Sequence, residues 1–204
     1  MKVLLASAEA VPFAKVGGLA DVLGSLPAAL RRLDVDARVM LPGYGFINHE
    51  GYGVEKLLSF EFAHRLGLSE VTLYAAELDG TPFYLLQSAP YFGLEGEVYS
   101  QWNWDMERFI FFNQATMAAL HQLDEAIGWF PDLVHANDWH TALLPFMIRD
   151  HGGGGLASVM SIHNIAYQGD YAGGFLWNAG VDGRHHADLV ELGLTDNLLG
   201  TGIA

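Results

Sequence analysis

Three short polar segments carry the residue types that could do chemistry. The first runs Glu9-Ala-Val-Pro-Phe-Ala-Lys15-Val-Gly17-Gly18-Leu-Ala-Asp21. Gly17 and Gly18 let backbone N–H groups come close to a ligand, because no Cβ intervenes. A helix start just after them adds a positive dipole end suited to phosphate. Lys15 adds a point charge beside it. The plainer alternative is a strand-to-helix turn that happens to hold two glycines. The dinucleotide fingerprint is absent, since its third glycine would fall near Val22 and none is there. The second segment is Asn137-Asp138-Trp139-His140 and the third is His163-Asn164-Ile165-Ala166-Tyr167-Gln168-Gly169. In the second, Asp138 or Asn137 can cap a following helix while Trp139 packs. A metal site built from His135, Asp138 and His140 is disfavoured, because His135 lies within a strand and points into the layers. In the third, His163 either holds a sugar hydroxyl or carbonyl, or is a histidine satisfied by backbone. A serine hydrolase is disfavoured too, for the sequence holds no Gly-x-Ser-x-Gly elbow, and Leu23-Gly24-Ser25-Leu26-Pro27 lies inside the first helix. No pair of glycosidase carboxylates can be singled out among 24 acids.

The elements that must position these segments follow from apolar patterning. Val3 to Ala6 reads as a first strand, and Leu19, Val22, Leu23, Leu26, Ala29, Leu30 and Leu33 recur at helical spacing. Pro27 inside that helix predicts a kink. Asp36 to Leu41 reads as a second strand, so the chain opens β-α-β, the seed of a parallel sheet. Leu57–His64, Val71–Leu78 and Pro82–Gln87 read as short strands of a small antiparallel insertion, with Asp79-Gly80-Thr81 the clearest hairpin signal. Asp105 to Leu123 is a strongly apolar helix. Leu133–Ala136 is another buried strand, followed by a helix from Thr141 to Arg149. After the glycine run Gly152–Gly155, Ala157–Ile162 is the next strand. From Asp170 onward no periodicity is evident, and the last residues, to Ala204, do not resemble a closing helix, so the chain is expected to stop in mid-architecture.

Position ties chemistry to architecture. Each polar segment begins where a predicted parallel strand ends, so all three fall on one edge of the sheet. In open α/β sheets that edge holds the ligand crevice.

The totals exclude several classes. Of 204 residues, 51% are hydrophobic, enough for a real core, and the formal net charge is −14. Such acidity repels phosphate backbones, so nucleic acid is not an expected partner. There is no cysteine, which removes disulfides, thiolate catalysis and cysteine-ligated zinc. The amino-terminal apolar run is broken by Glu9, too early for a signal peptide. No run approaches the roughly 18 apolar residues of a membrane span. The chain therefore reads as soluble and cytoplasmic, with no membrane partner; nothing in it sets an oligomeric state.

Taken together, the segments resemble the bacterial glycogen synthases and plant starch synthases. The likeness covers nearly the whole chain. It is strongest in Ser7-Ala8-Glu9 with Pro12, in Lys15 to Val22, in His135 to Thr141 and in His163 to Gly169. The resemblance implies an α/β fold with a Rossmann-like parallel sheet and helices on both faces. Residues 1–204 would be the incomplete amino-terminal, glucan acceptor-side domain of a GT-B glycosyltransferase, without its carboxyl-terminal nucleotide-binding domain. It implies transfer of glucose from ADP-glucose to the non-reducing end of an α-1,4-glucan such as glycogen, with retention, and neither metal nor other cofactor. Residue by residue, it implies that Lys15 lies near the donor phosphates and glucose, that Gly17 and Gly18 let donor and acceptor meet, and that Asp21 contacts the donor. It places His163 and Asp138 at the transferred sugar as the catalytic pair, Asn164 beside them, and Tyr99 and Trp139 along the cleft. Val16 departs from the family pattern, which has threonine there. The basic residues and the glutamate of the second domain are missing, so the chain is expected to catalyse no glucan extension alone. The alternative is a standalone, non-catalytic glucan-binding half domain. Tyr91, Trp102, Trp104 and Trp177 would then be sugar platforms, although core packing is the favoured reading of all four. A sucrose- or trehalose-related glucosyltransferase fits the His135–Thr141 and His163–Gly169 segments less well.

Overall fold

A computed structural model describes residues 1–150 and 154–203. Gly152 and Gly153 of the glycine run, and Ala204, lie outside the described residues. The frame is one seven-stranded sheet, ordered β3-β4-β5-β2-β1-β6-β7. Its strands are β1 (Lys2–Ala6), β2 (Asp36–Pro42), β3 (Glu55–His64), β4 (Gly67–Leu78), β5 (Thr81–Gln87), β6 (Leu133–Asn137) and β7 (Ala157–Ser161). The longer helices are α1 (Gly18–Arg31), α3 (Trp102–Ile127) and α4 (Leu143–Asp150), with a short α2 (His49–Tyr52) after β2.

β1 sits at the centre, parallel to β2 on one side and β6 on the other. Leu4, Leu5 and Ala6 have no solvent exposure. A strand covered on both faces has no polar side to present, which is why its sequence is a continuous apolar run rather than an alternation. Right-handed crossovers then fix the layers. The path β1-α1-β2 moves one way along the sheet, while β5-α3-β6 and β6-α4-β7 move the other way. So α1 covers one face, and α3 and α4 cover the opposite face. The reversal falls between β1 and β6.

The three strands read as an antiparallel insertion all belong to the main sheet, and only β3–β4 and β4–β5 pair antiparallel. β5 pairs parallel with β2, so it is a member of the main sheet. β4 and β3 then add antiparallel beyond it and lengthen the same sheet. The turn between β4 and β5 has φ of 49° at Asp79 and 73° at Gly80. Two successive positive φ values are what a tight two-residue hairpin needs, and Asp-Gly supplies them at low cost.

In α1, Leu19 and Leu23 are buried, as is Pro27 inside the helix, but Leu33 falls past the helix end and is exposed. α3 is longer than its apolar core suggested, starting at Trp102. Beyond β7, where no periodicity was evident, the chain forms α5 (Gly173–Asn178), α6 (Ala187–Leu192) and α7 (Leu198–Ile203). At six residues each, these helices show too little of the 3.6-residue repeat for a pattern to register. No described helix is long and apolar enough to cross a membrane.

Candidate functional site

The strand reversal between β1 and β6 opens a crevice at the carboxyl edge of the sheet, the place a ligand site is expected in an open α/β fold. A cleft of about 740 Å³ lies there, and all three polar segments contribute to it. The first supplies Glu9 and Val16 to Leu19, the second Asp138 to His140, the third His163, Asn164 and Tyr167. The start of α3 and the loop before it add Tyr99, Trp102 and Asp105. A second groove, of about 820 Å³, is larger but contains none of the three segments; it is lined from β3, α3, α4 and residues 177–186. Chemistry therefore belongs to the cleft.

Glu9 shapes the first segment. It is 3% exposed, and one carboxylate oxygen accepts the N–H groups of Val16 and Gly17 at 2.6 and 2.8 Å. Its other oxygen accepts the Tyr99 hydroxyl at 2.5 Å. A buried carboxylate satisfied by donors from two loops holds both in place, and such charge-assisted bonds are the stronger kind. Burial, and then the Glu9 carboxylate, push the Tyr99 hydroxyl far above its ordinary pKa, so it stays a donor. Gly17 has φ −130° and ψ −165°, an ordinary extended conformation. A Cβ at Gly17 or Gly18 would meet nothing within 4 Å. The pair is thus not required by the backbone; it leaves open space in the cleft wall.

Asp138 and Asn137 tie the second segment to the third. Neither side chain caps a helix. One oxygen of Asp138 accepts the N–H groups of His163 at 2.6 Å and Asn164 at 3.2 Å. Asp138 has φ 58° and ψ 179°. A non-glycine residue held there is strained, and the surrounding bonds over-determine it. Asn137 has no exposure, and its amide oxygen lies 3.0 Å from His163 Nε2. The role of helix anchor falls instead to Thr141, whose hydroxyl accepts the Asn137 N–H at 2.6 Å.

An aromatic wall completes the cleft. Trp102 and Trp139 have ring centroids 5.4 Å apart, Trp139 and His140 4.2 Å, and Tyr99 and His140 5.2 Å. Behind them Arg108 is fully buried, ion-paired to Asp105 at 2.7 Å and bonded to the Val98 carbonyl. His140 is 5% exposed, and its Nδ1 has no hydrogen-bond partner among the described residues. Burial, with the Arg108 charge adding to it, lowers its pKa to about 3, so the ring is neutral at ordinary pH.

Of the residues expected from sequence, Gly17, Gly18, Tyr99, Asp138, Trp139, His163 and Asn164 line this one cleft. Lys15 and Asp21 do not. They pair with each other at 2.6 Å, their side chains 52% and 59% exposed. His135 is also outside the lining; it is half-buried with Nε2 2.7 Å from Ser161 Oγ, and burial lowers its pKa, as does nearby His163. Among the four aromatics read as core, Tyr91 is buried and stacks on Phe111 at 4.0 Å. Trp102 departs from that reading: it is 38% exposed and forms part of the wall. Trp177 departs as well, 46% exposed in the second groove. Sequence reasoning gave Glu9 no role of its own, took Asn137 as a possible helix cap and His140 only as part of a disfavoured metal set. An acid opening a glycine segment was a usable signal for Glu9. The role of Asn137 is recognisable only once β1, β6 and β7 lie side by side, and that of His140 once α3 packs on it.

The arrangement can bind and orient. Glu9, Asp105 and Asp138 are each already engaged with protein donors. None of the described cleft-lining residues is Lys or Arg. The lining is therefore aromatic, amide, imidazole and carboxylate, a set suited to the faces and hydroxyls of a neutral sugar rather than to a phosphate.

Comparison with known proteins gives the same direction. Residues 2–204 match the family model described as the starch synthase catalytic domain. A "Glycogen synthase 1" of Geobacter metallireducens is 35% identical over 97% of this chain and 40% of its own length. A "Glycogen synthase" of Caldicellulosiruptor bescii is 39% identical over 83% of this chain and 35% of its own. Among solved structures, the catalytic domain of starch synthase IV from Arabidopsis thaliana, bound to ADP and acarbose, superposes with a TM-score of 0.79 at 27% identity. That match covers 90% of this chain and 38% of the plant one. The chain spans about two fifths of the length of such relatives.

Proposed function

Because the chain belongs to the starch synthase catalytic-domain family, we propose that it is the sugar-binding side of a retaining glucosyltransferase. In the whole protein, glucose would pass from ADP-glucose to the non-reducing end of an α-1,4-glucan. The observation that carries the reading is the convergence of three strand-end segments on one cleft whose described lining is aromatic and polar but holds no Lys or Arg. Aromatic faces take the apolar side of a pyranose; His163, Asn164 and Asp138 take its hydroxyls. The ADP found in the Arabidopsis starch synthase structure supports an adenine nucleotide donor.

In this proposal His163 and Asp138 serve the transferred sugar, with Asn164, Tyr99 and Trp139 as binding residues. Gly17 and Gly18 leave room for donor and acceptor to approach. Lys15 and Asp21, paired at 2.6 Å, face the donor once that pair opens. Transfer through an oxocarbenium-like state needs the leaving diphosphate stabilised and the acceptor hydroxyl placed. The cleft supplies placement. It does not supply the positive charge, so these 204 residues bind sugar without extending glucan. The lack of cysteine fits a reducing, cytoplasmic setting.

The test has two arms. Purified chain is incubated with labelled ADP-glucose and glycogen, and no label is incorporated above background. The same chain is titrated with maltoheptaose while tryptophan emission is followed; saturable binding is expected, weakened by Trp139→Ala. Extension at a rate near that of complete enzymes would overturn the first expectation, and no saturable change the second. A second reading, a standalone glucan-binding module, is favoured by exposed Trp102 in the cleft wall. Glycogen co-sedimentation with and without Trp102→Ala tests it: this reading needs the polymer held through Trp102, and pelleting unchanged by the substitution counts against it.

A further inference from the structure

The bonds around Asn137 determine more than its own position. Its Nδ2 lies 3.1 Å from the carbonyl oxygen of Ala6 and 3.1 Å from that of His135. Carbonyl oxygens only accept, so the amide nitrogen must face them and the amide oxygen must face His163. That oxygen also only accepts, and it is 3.0 Å from His163 Nε2. His163 Nε2 therefore carries a proton. In the neutral imidazole one nitrogen is a donor and the other an acceptor, which leaves Nδ1 bare. Nδ1 makes no hydrogen bond to the described residues, and His163 lines the cleft. The backbone N–H of the same residue is held at 2.6 Å by Asp138. Ring and backbone are thus both clamped from the end of β6, and Asn137 is itself anchored to the end of β1 through Ala6.

We propose that Asn137 is a positioning residue that fixes His163 in its Nε2–H tautomer, leaving Nδ1 as a hydrogen-bond acceptor for a sugar hydroxyl in the cleft. Asn137 is fully buried and acts only through His163. The assignment of a sugar hydroxyl rests on the proposed function; the tautomer does not. The chemistry follows from the choice. With Nδ1 bare, a ligand hydroxyl must donate to His163, so an oxygen with no proton to give, such as an ether or a methylated hydroxyl, is refused there.

Nitrogen-15 labelling of the histidines tests the tautomer directly. At a pH above the ordinary imidazole range, His163 is expected to show a protonated Nε2 and an unprotonated Nδ1, its signals assigned by their loss in His163→Gln. In Asn137→Ala the two tautomers are expected to mix, while the other eight of the nine histidines keep theirs. A wild-type Nδ1–H signal, or an unchanged tautomer in Asn137→Ala, overturns the proposal. Should Asn137→Ala not fold, the wild-type spectrum and a second pair of variants decide. An asparagine amide oxygen can stand near the place of Nδ1, and a glutamine amide near that of Nε2. Maltoheptaose binding should stay within about threefold in His163→Asn and weaken about tenfold in His163→Gln, one hydrogen bond's worth. The reverse order overturns the acceptor role even with the tautomer intact. Absence of any maltoheptaose binding to the wild-type chain would sink the sugar reading instead, and the spectrum would still settle the role of Asn137.

Discussion

Lowering the pH should destabilise this fold through His140 in a way that one substitution removes. The ring is 5% exposed, stacked against Tyr99 and Trp139, with Arg108 behind it. Burial, and then the Arg108 charge, bring its pKa from 6.5 to about 3. The folded pKa lies below the unfolded one, so below pH 6.5 the unfolded chain binds a proton that the folded chain refuses. Stability therefore falls as pH drops from 6.5 toward 3, by about 1.4 kcal/mol per unit from this group. Between pH 7 and pH 5 the loss amounts to about 2 kcal/mol, or roughly 4–8 °C in Tm for a domain of this size. His140→Phe keeps an aromatic ring against Tyr99 and Phe109 and removes the titration. Urea unfolding of both proteins at pH 7, 6 and 5 is the assay. His49, His64 and His135 are also lowered by burial, so the variant keeps a slope, but a shallower one. The offset between the proteins at pH 7 reports packing; the change in offset reports His140. Two stability curves that run parallel from pH 7 to 5 would refute the reasoning, because a neutral buried ring would then carry no linkage.

The Glu9 cluster gives a second expectation: Tyr99→Phe leaves a buried carboxylate oxygen unpaired and costs about 1.5–3 kcal/mol in urea unfolding. Glu9→Leu removes the same 2.5 Å bond together with the two backbone N–H contacts, so the double variant should cost less than the sum of the single losses; additive losses would count against a shared bond. Gly18→Ala opens α1 with a better helix former and meets nothing within 4 Å, so the Tm should hold or rise, while maltoheptaose titration shows weaker binding from a methyl group facing the cleft. Lys15→Met removes an ion pair exposed on both sides, so unfolding should shift by less than about 1 kcal/mol. Asp138→Ala frees the N–H groups of His163 and Asn164, and hydrogen exchange at those two amides should accelerate well before global unfolding; unchanged protection would mean that another group holds them.

Much of the frame was legible because strong patterns are local. The β-α-β opening follows from one apolar run and one helical stripe, and the Asp79-Gly80 turn from residue types that tolerate positive φ. The edge on which the three segments meet was legible for the same reason, since strand ends can be read one at a time. Pairing was not. Nothing in Thr81–Gln87 says that β5 lies parallel to β2, 39 residues after the end of that strand, because a buried strand looks alike in either orientation. The second half of the site was hidden on the same ground. Asn137 reads as a helix cap in sequence, and only the neighbouring ends of β1 and β7 turn its amide toward Ala6 and His163. His140 entered the sequence reading only as part of a disfavoured metal set, and only the packing of α3 buries it beside Arg108. Lys15 was legible as a cation, but its partner Asp21, one turn into α1, was not legible as the group that holds it.

Under the proposed function, these placements separate two tasks. The carboxylates of the described cleft lining all accept protein donors: Glu9 through both oxygens from the glycine segment and Tyr99, Asp105 through both from Arg108 and Ser100, and Asp138 through one oxygen from His163 and Asn164. A carboxylate engaged through both oxygens is a poor nucleophile, because attack would give up its hydrogen bonds as well as its charge. A double displacement through Glu9 or Asp105 is accordingly disfavoured. Under the proposed function, this surface holds the sugar. Its three loops are joined by Glu9, Asn137 and Asp138, and its wall is made of stiff aromatic rings. On that proposal, charge neutralisation of a leaving diphosphate would have to come from cations facing the cleft from the opposite side. In a chain of net charge −14, with its nearest loop lysine already paired, placement and neutralisation would lie on different surfaces. Transfer would then begin only when both surfaces enclose the sugar. A complete relative should therefore lose turnover far more than sugar affinity when the cations of the opposing surface are removed.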